Sequence, residues 1–456
     1  MSIRAPLLLA WLAAACTSAP PYVCQTNAQC VDATGASGIC EPDGFCSVAD
    51  ASCSTTSRRY AGGAGDKANA CVVATTASCI VDLVGGDQHF CVIRADGTVW
   101  CWGINDAGQL GDGTTDDRAV PVKVKTPVGK TFVEVAASEN HTCARATDNT
   151  LWCWGANDTG QLGVVDTNGN PAADSPVPLQ VKGVTGTNPP FTLTPFLAKH
   201  VSAGGKHVCA VDDAGALYCW GENSDGQCAQ KPPSAGGNAD DVFFPTAVPG
   251  LDEGVVGVAV GDEQSGCVKD DGTIFEFGGN ANGQLGSGGG ADSYLPVQAR
   301  ITSATTVVGG DEHMCATKND GTAWCWGYGA AVGIDGGADK AEPQRILAAK
   351  SVFAGGSAFH TCAIQGTDFL CWGQNDQGQV GIDVIDPDHA TIPTPTPALL
   401  TTVVRSASST GNTCAVTAEG QLWCWGANDR GQLAQGSIGA ASSVPTRVVF
   451  DCAGSE

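Results

Sequence analysis

The sequence predicts an all-β protein: a seven-bladed β-propeller of four-stranded blades, preceded by a small disulfide-rich head. Three observations predict it. The chain has 456 residues with 61 Gly and 23 Pro but only 15% charged residues, which favours many short strands joined by tight turns over long helices. It is too long for one simple core, so repeats are expected. One hairpin pattern, CVIRADGTVWCWG at residues 91–103, recurs seven times.

Taken in order, MSIRAPLLLAWLAAA (residues 1–15) has a basic Arg4, an apolar run and small residues before Cys16. It reads as an export signal too short to span a bilayer. The segment resembles a bacterial lipoprotein signal, which implies a lipid on Cys16 and an outer-membrane or cell-surface location. Ala13-Ala14-Ala15 also fits simple signal cleavage, giving a periplasmic or secreted protein.

Residues 16–78 form the head and linker. Cys24, Cys30, Cys40, Cys46, Cys53 and Cys71 stand among Gly, Ser, Asp and Asn with few large apolar residues, so disulfides would hold this piece together. Six cysteines allow fifteen pairings. A zinc knuckle lacks its paired C-x₂-C sets and a nearby His.

Residues 79–456 hold the repeats, with first cysteines at Cys91, Cys143, Cys209, Cys267, Cys315, Cys362 and Cys414. Each unit reads as a β-branched strand, a cysteine hairpin, a polar loop such as NDAGQLGDGT, and a Pro-initiated strand such as PVKV. That makes four strands per blade. Loop length and turn residue change together. Ten-residue spacings place Gly97, Asn149, Gly215, Gly321 or Gly420 where a three-residue hairpin loop needs positive φ, and the nine-residue spacing of the sixth copy leaves a Gly366-Thr367 turn. Cross-strand Cβ atoms lie about 4.5–5.5 Å apart, so Cys91–Cys101, Cys143–Cys153, Cys209–Cys219, Cys315–Cys325, Cys362–Cys371 and Cys414–Cys424 are expected as hairpin staples. The fourth copy, CVKDDGTIFEFGG, aligned on Cys267, sets Glu276 opposite that cysteine.

The repeated Gly-Gly-x-His, hairpin, Trp-Gly and G-Q-L-G pattern over residues 80–450 resembles the regulator of chromosome condensation repeat. The resemblance implies the seven-bladed closed ring. The fifth copy departs from it with GYGAAVGIDGG. The first strand lacks a preceding Pro-strand and VPTRVVF (444–450) lacks a following repeat, so the two ends are expected to complete one blade, clasped by Cys79–Cys452. Cys228 and Cys267 remain, either paired with each other or as buried thiols.

A net charge of −24 argues against nucleic acid, whose phosphates call for Lys and Arg, and against a membrane contact other than through the lipid anchor. His89, His141, His207, His313 and His360, two residues before the cysteines, are expected to be structural, bonding a Gly-Gly turn in each blade, with Ser265 and Asn412 in their place elsewhere. Blades space them too widely to share a metal at bonds near 2 Å. The motif tryptophans are expected between blades. No triad, Walker loop or H-E-x-x-H is present, and no cofactor is expected. The reading is a non-enzymatic extracytoplasmic scaffold for a protein or glycan partner, with specificity in Pro-rich insertions such as 171–196, 229–245 and 383–397. Alternatives are an inhibitor of an extracellular hydrolase, a guanine-nucleotide exchange factor implied by the resemblance, and a hydrolase or lyase on the propeller face.

Overall fold

A computed structural model describes residues 39–40, 46–49, 58–60, 79–231, 241–385 and 391–450. The chain divides into two compact units, Met1–Ala74 and Thr75–Glu456. Of the first, the described part is a three-stranded antiparallel sheet, Ile39–Cys40, Cys46–Ala49 and Arg58–Tyr60, with Cys40 opposite Cys46. Cys16 and the other head cysteines, apart from these two, lie outside the described residues.

The second unit is a ring of seven four-stranded antiparallel sheets. Blade 1 runs Ile80–Gly85, His89–Arg94, Val99–Gly103 and Arg118–Lys123, from the inner strand at the axis to the Pro-bearing strand at the rim. The turn residues explain the hairpins. Gly97, Asn149, Gly215, Gly321 and Gly420 all have φ between 65° and 81°, a region that only Gly, and Asn less readily, enters at low cost. Proline at the rim withholds an N–H from an otherwise open edge and so discourages sheet-to-sheet association.

Six hairpins carry the disulfides Cys91–Cys101, Cys143–Cys153, Cys209–Cys219, Cys315–Cys325, Cys362–Cys371 and Cys414–Cys424, each with Cα atoms 4.1 Å apart. In the nine-residue hairpin Cys362 still faces Cys371, because the shorter turn compensates. A loop of this length, closed in the unfolded chain, contributes about 2–3 kcal/mol.

Two expectations need correction, and one open alternative is decided. First, the terminal strands do not complete a shared blade: Ser442–Val448 pairs with Leu422–Gly426 of its own repeat, and Ile80–Gly85 with His89–Arg94. Each repeat therefore has all four strands, and closure is by packing. The Trp102 indole N–H donates to the Gln432 carbonyl at 2.8 Å, the Gly436 N–H donates to Ala119, and Arg430 pairs with Asp117 at 3.1 Å. Cys79 is disulfide-bonded, but Cys452 lies outside the described residues. Second, in blade 4 Cys267 faces Phe275, and Gly266 faces Glu276. The Asp-Gly turn sets the register, so Cys267 is one residue beyond the staple position. Of the two alternatives for Cys228 and Cys267, that of buried thiols holds, for both are free and buried. They belong to one apolar cluster with Cys209 and Cys219, and burial pushes the Cys267 thiol up to about 12.

The fifth-copy departure GYGAAVGIDGG folds as a short helix, Gly329–Val332. The insertion at 171–196 adds a small hairpin, Lys182–Thr185 with Thr192–Pro195. Residues 232–240 and 386–390 of the other two insertions are outside the described residues.

Candidate functional site

The strand directions give the ring two unlike faces. The turns after the inner strands and the N-D-x-G-Q-L-G loops share one, the loop face; the hairpin turns form the other. On the loop face the motif is a self-contained hydrogen-bond unit. The Asn105 side-chain carbonyl accepts the Leu110 N–H at 2.9 Å, and Gln109 Oε1 accepts the Ala107 N–H at 3.0 Å. Gly108, at φ 84°, lies so close to the next blade that a Cβ would sit 2.6 Å from Pro176 Cα. The loop residues thus fix the loop and join adjacent blades, and the Asp at the second position takes part: Gln161 Nε2 donates to Asp158 at 2.9 Å and Gln432 Nε2 to Asp429 at 2.8 Å.

Between blades the histidines have partners that sequence reading did not supply. Nε2 of His89, His207, His313 and His360 meets a hydroxyl of the next blade: Thr142 at 2.9 Å, Ser265 at 2.7 Å, Thr361 at 2.7 Å and Thr413 at 2.7 Å. Each hydroxyl also donates to a backbone carbonyl, at Gln109, Gln227, Ala331 and Gln379. Its single proton is thereby committed, so the imidazole must be the donor through Nε2–H. Motif tryptophans donate to the same row of carbonyls, as Trp154 does to Gln109 and Trp372 to Ala331, both at 2.8 Å. The Gly-Gly turn packs against the ring edge instead of bonding it: a Cβ on Gly86 would sit 2.4 Å from His89 Cε1. His141 faces Val208, which has no hydroxyl, and bonds Ser138 at 2.6 Å.

The register correction also moves the substitutions. Gln264, not Ser265, stands in the histidine place of blade 4, donating to the Gly310 carbonyl at 3.0 Å, and Ser265 is the acceptor for blade 3. Asn412 holds that place in blade 7. Burial drives all five histidines down to about 3, so they are neutral structural donors. Among the described residues no group of three or more His, Cys, Asp or Glu is placed to hold a metal ion.

Acids cluster in the turns nearest the axis on the loop face. The turns before the histidines carry Asp87, Glu139, Asp262, Glu263, Asp311 and Glu312, opposed in that set by Lys206 alone. Lys206 lies 3.7 Å from Asp158. Asp262 and Asp311 stand on neighbouring blades, the Asp262 N–H donating to the Asp311 carbonyl at 3.2 Å. Burial, then the surrounding carboxylates, raises them to about 7 and about 8. On and near the hairpin-turn face some acids are ion-paired, Arg145–Glu134 at 2.8 Å, Arg405–Asp82 at 3.9 Å, Arg94–Asp96 at 3.9 Å, and Lys130–Asp148, while Asp271 and Asp320 accept from the hydroxyls of Thr273 and Thr322 in their own turns.

Family models for the regulator of chromosome condensation (RCC1) repeat match residues 96–145, 148–211, 214–268 and 271–317, and a second form of the repeat matches 80–109, 132–161, 198–227 and 406–432. Together they cover more than half of the chain. The protein belongs to the regulator of chromosome condensation repeat family. It is 28% identical to the ultraviolet-B receptor UVR8 of Arabidopsis thaliana over 314 residues, 66% of this chain and 67% of the receptor. It is also 28% identical to the human E3 ubiquitin-protein ligase HERC2 over 316 residues, 66% of this chain but only 6% of the ligase. Among solved structures, Prp20p of Saccharomyces cerevisiae superposes with a TM-score of 0.64 at 20% identity, covering 82% of this chain and 90% of that one. Human WBSCR16 gives 0.63 at 22%, covering 77% and 94%. These likenesses show the fold. RCC1-type propellers among these relatives serve as binding or regulatory scaffolds. The part of HERC2 that matches is a small fraction of that ligase.

Proposed function

We propose that this protein is a non-enzymatic, extracytoplasmic scaffold whose acidic loop face holds a basic surface of a protein partner. The observation that carries the reading is the imbalance at the axis, where six carboxylates in the histidine turns meet one lysine. Such a field raises the local concentration of a cationic partner and speeds its encounter. Charge favours a protein over a neutral glycan. The motif tryptophans that would offer a sugar a stacking platform, such as Trp102, Trp154 and Trp220, are buried. Six hairpin disulfides are at home in an oxidising compartment, which supports export from the signal-like residues 1–15 and, with Cys16 as lipid carrier, display at a membrane surface. A Cys79–Cys452 clasp is part of the same proposal.

The test is capture from the organism's envelope extract or medium on immobilised full-length protein. It compares the native chain with an Asp87→Asn, Glu139→Gln, Asp262→Asn, Asp311→Asn variant and with an Asp271→Asn, Asp320→Asn control on the hairpin turns. The reading expects a partner retained by the native and control proteins, lost from the loop-face variant, and released as salt rises from 0.15 to 0.5 M, in keeping with screening. Equal retention by all three contradicts it.

A further inference from the structure

Two departures from the repeat meet at one seam of the loop face. The place before the histidine position holds Gln88, Asn140, Lys206, Glu263, Glu312 or Gly411 in six blades, but Phe359 in blade 6. The place after the Trp-Gly or Phe-Gly pair holds Ile104, Ala156, Glu222, Gly279, Gln374 or Ala427 in six blades, but Tyr328 in blade 5. Packing of blade 5 on blade 6 brings the two aromatic rings together, with centroids 5.8 Å apart and planes at 78°. Both residues are half-buried, so each keeps surface open to solvent. Neither belongs to the apolar clusters that pack these blades. The rings thus form an aromatic corner outside the core.

Acids flank the corner on both sides. The Tyr328 N–H donates to the Glu312 carbonyl at 2.8 Å, so this ring and this acid leave the backbone side by side. The next N–H, of Gly329, donates to Asp339 Oδ1 at 2.9 Å. On the other side, the Asp311 N–H donates at 3.0 Å to the carbonyl of Ala358, the residue before Phe359. Among the described residues none of these three acids takes part in an ion pair. Burial, then Asp262 and the other surrounding carboxylates, raises Asp311 to about 8. Burial also raises Glu312, against a hydrogen bond from Asn282 and with a further push from Asp339. Negative charge therefore stands beside the rings without a counter-charge among the described residues.

A cation that carries N–H donors satisfies both halves of this arrangement. Aromatic rings attract positive charge within about 6 Å of their centroids, and carboxylates accept charge-assisted hydrogen bonds. Arginine fits better than lysine. Its guanidinium is planar and weakly hydrated, and can fork onto a carboxylate while stacking on a ring, whereas an ammonium is compact and strongly hydrated. A quaternary ammonium has no donor for the acids. We propose that Tyr328, Phe359, Asp311 and Glu312 form a site for one arginine side chain of the protein partner. The inference rests on the acidic-face reading and gives it a specific contact.

The experiment titrates the full-length protein, labelled with carbon-13 on its Phe and Tyr rings, with acetyl-Gly-Arg-Gly-amide, its Lys counterpart and tetramethylammonium, followed by NMR. The Tyr328 and Phe359 signals are identified by their loss in Tyr328→Leu and Phe359→Leu. Saturable shifts of both signals are expected with the arginine peptide, with the lysine peptide about fivefold weaker and tetramethylammonium weaker still. Each leucine variant should weaken arginine binding about two- to fivefold. Glu312→Gln, which keeps both rings, should weaken it to a similar extent and serves as the test if a leucine variant does not unfold cooperatively. Absence of saturable shifts at the two rings overturns the proposal, as do equal affinities for the arginine and lysine peptides or variants that bind as the native protein does. The leucine variants keep every charge, so the two readings fail separately. A partner retained by a Tyr328→Leu, Phe359→Leu protein as firmly as by the native one, yet lost from the loop-face charge variant, would sink the arginine site and leave the acidic-face reading standing. Arginine binding at the rings of a protein that captures no partner would do the reverse.

Discussion

Blade 4 and its six siblings solve the same packing problem with different chemistry. In the siblings two half-cystines fill the cross-strand site; in blade 4 the site holds Gly266 opposite Glu276. The pair is large against nothing. A Cβ on Gly266 would sit 3.2 Å from the Glu276 side chain and 2.7 Å from Met314 Cε, so the glutamate takes the volume a disulfide would. It is fully buried, Oε2 accepts the Trp326 indole N–H at 3.0 Å, and desolvation lifts its carboxyl well above the usual carboxylate range. Nearby, Phe277 stands where the siblings have Trp, and Gln264 where five of them have His and blade 7 has Asn412. The blade keeps its four strands and its register without a covalent link. The fold therefore lives in the turns and the blade-to-blade packing, and the disulfides add stability to a register already set.

Breaking the siblings' side of the comparison gives the largest effect. Reducing all six staples should lower unfolding free energy by roughly 12–18 kcal/mol if the loops act independently at about 2–3 kcal/mol each, enough to unfold the ring. Circular dichroism with and without reductant measures it.

Acid comes next, and blades 4 and 7, with Gln264 and Asn412 in the histidine place, have no histidine there to protonate. Five histidines fall from 6.5 to about 3 on folding, so between those values the unfolded chain binds more protons and stability drops as pH falls below about 6.5. Asp262 and Asp311 work in the opposite sense: raised to about 7 and about 8, they bind more protons when folded, and stability declines as pH rises from about 4 through 8. Denaturant midpoints should peak near pH 6.5. A His313→Gln variant, which copies blade 4, should show an acid slope shallower by about one proton.

Probing blade 4 itself should give smaller changes. Glu276→Gln is expected to shift stability at pH 7 by less than about 1 kcal/mol, because burial disfavours the charged carboxylate and the amide keeps its shape and its acceptor for Trp326. Glu276→Ala should cost about 2–4 kcal/mol by opening a cavity. Urea unfolding separates them. Gly266→Cys with Glu276→Cys should form a seventh staple and add about 2 kcal/mol, seen as a higher midpoint that reductant removes.

Repeat number, strand count and the six pairs were legible because turn length and cysteine spacing vary together, as in Cys362 to Cys371. Blade 4 was misread by one residue because the alignment was anchored on a cysteine; the Asp271-Gly272 turn was the better anchor, since φ at Gly272 is 79° and the turn dictates register. The histidine partners were hidden by distance, 48 to 58 residues along the chain. The signal was the Thr or Ser one place after the histidine position in the following copy, as in Thr142 and Thr361. Closure was misjudged because a strand's lack of a sequence neighbour says nothing of the sheet it joins. The blade 6 turn at 355–359 shows in the sequence only as two residues more than 86–88 of blade 1, and its approach to Gly204 of blade 3 needs coordinates.

The central claim is that cysteine pairs mark register in six blades and that the fourth is held without one. Peptide mapping of the unreduced protein by mass spectrometry tests it most directly. The account predicts six intra-hairpin disulfides, from Cys91–Cys101 to Cys414–Cys424, with free thiols at Cys228 and Cys267. Free Cys91 and Cys101, or a Cys228–Cys267 bridge, would contradict it.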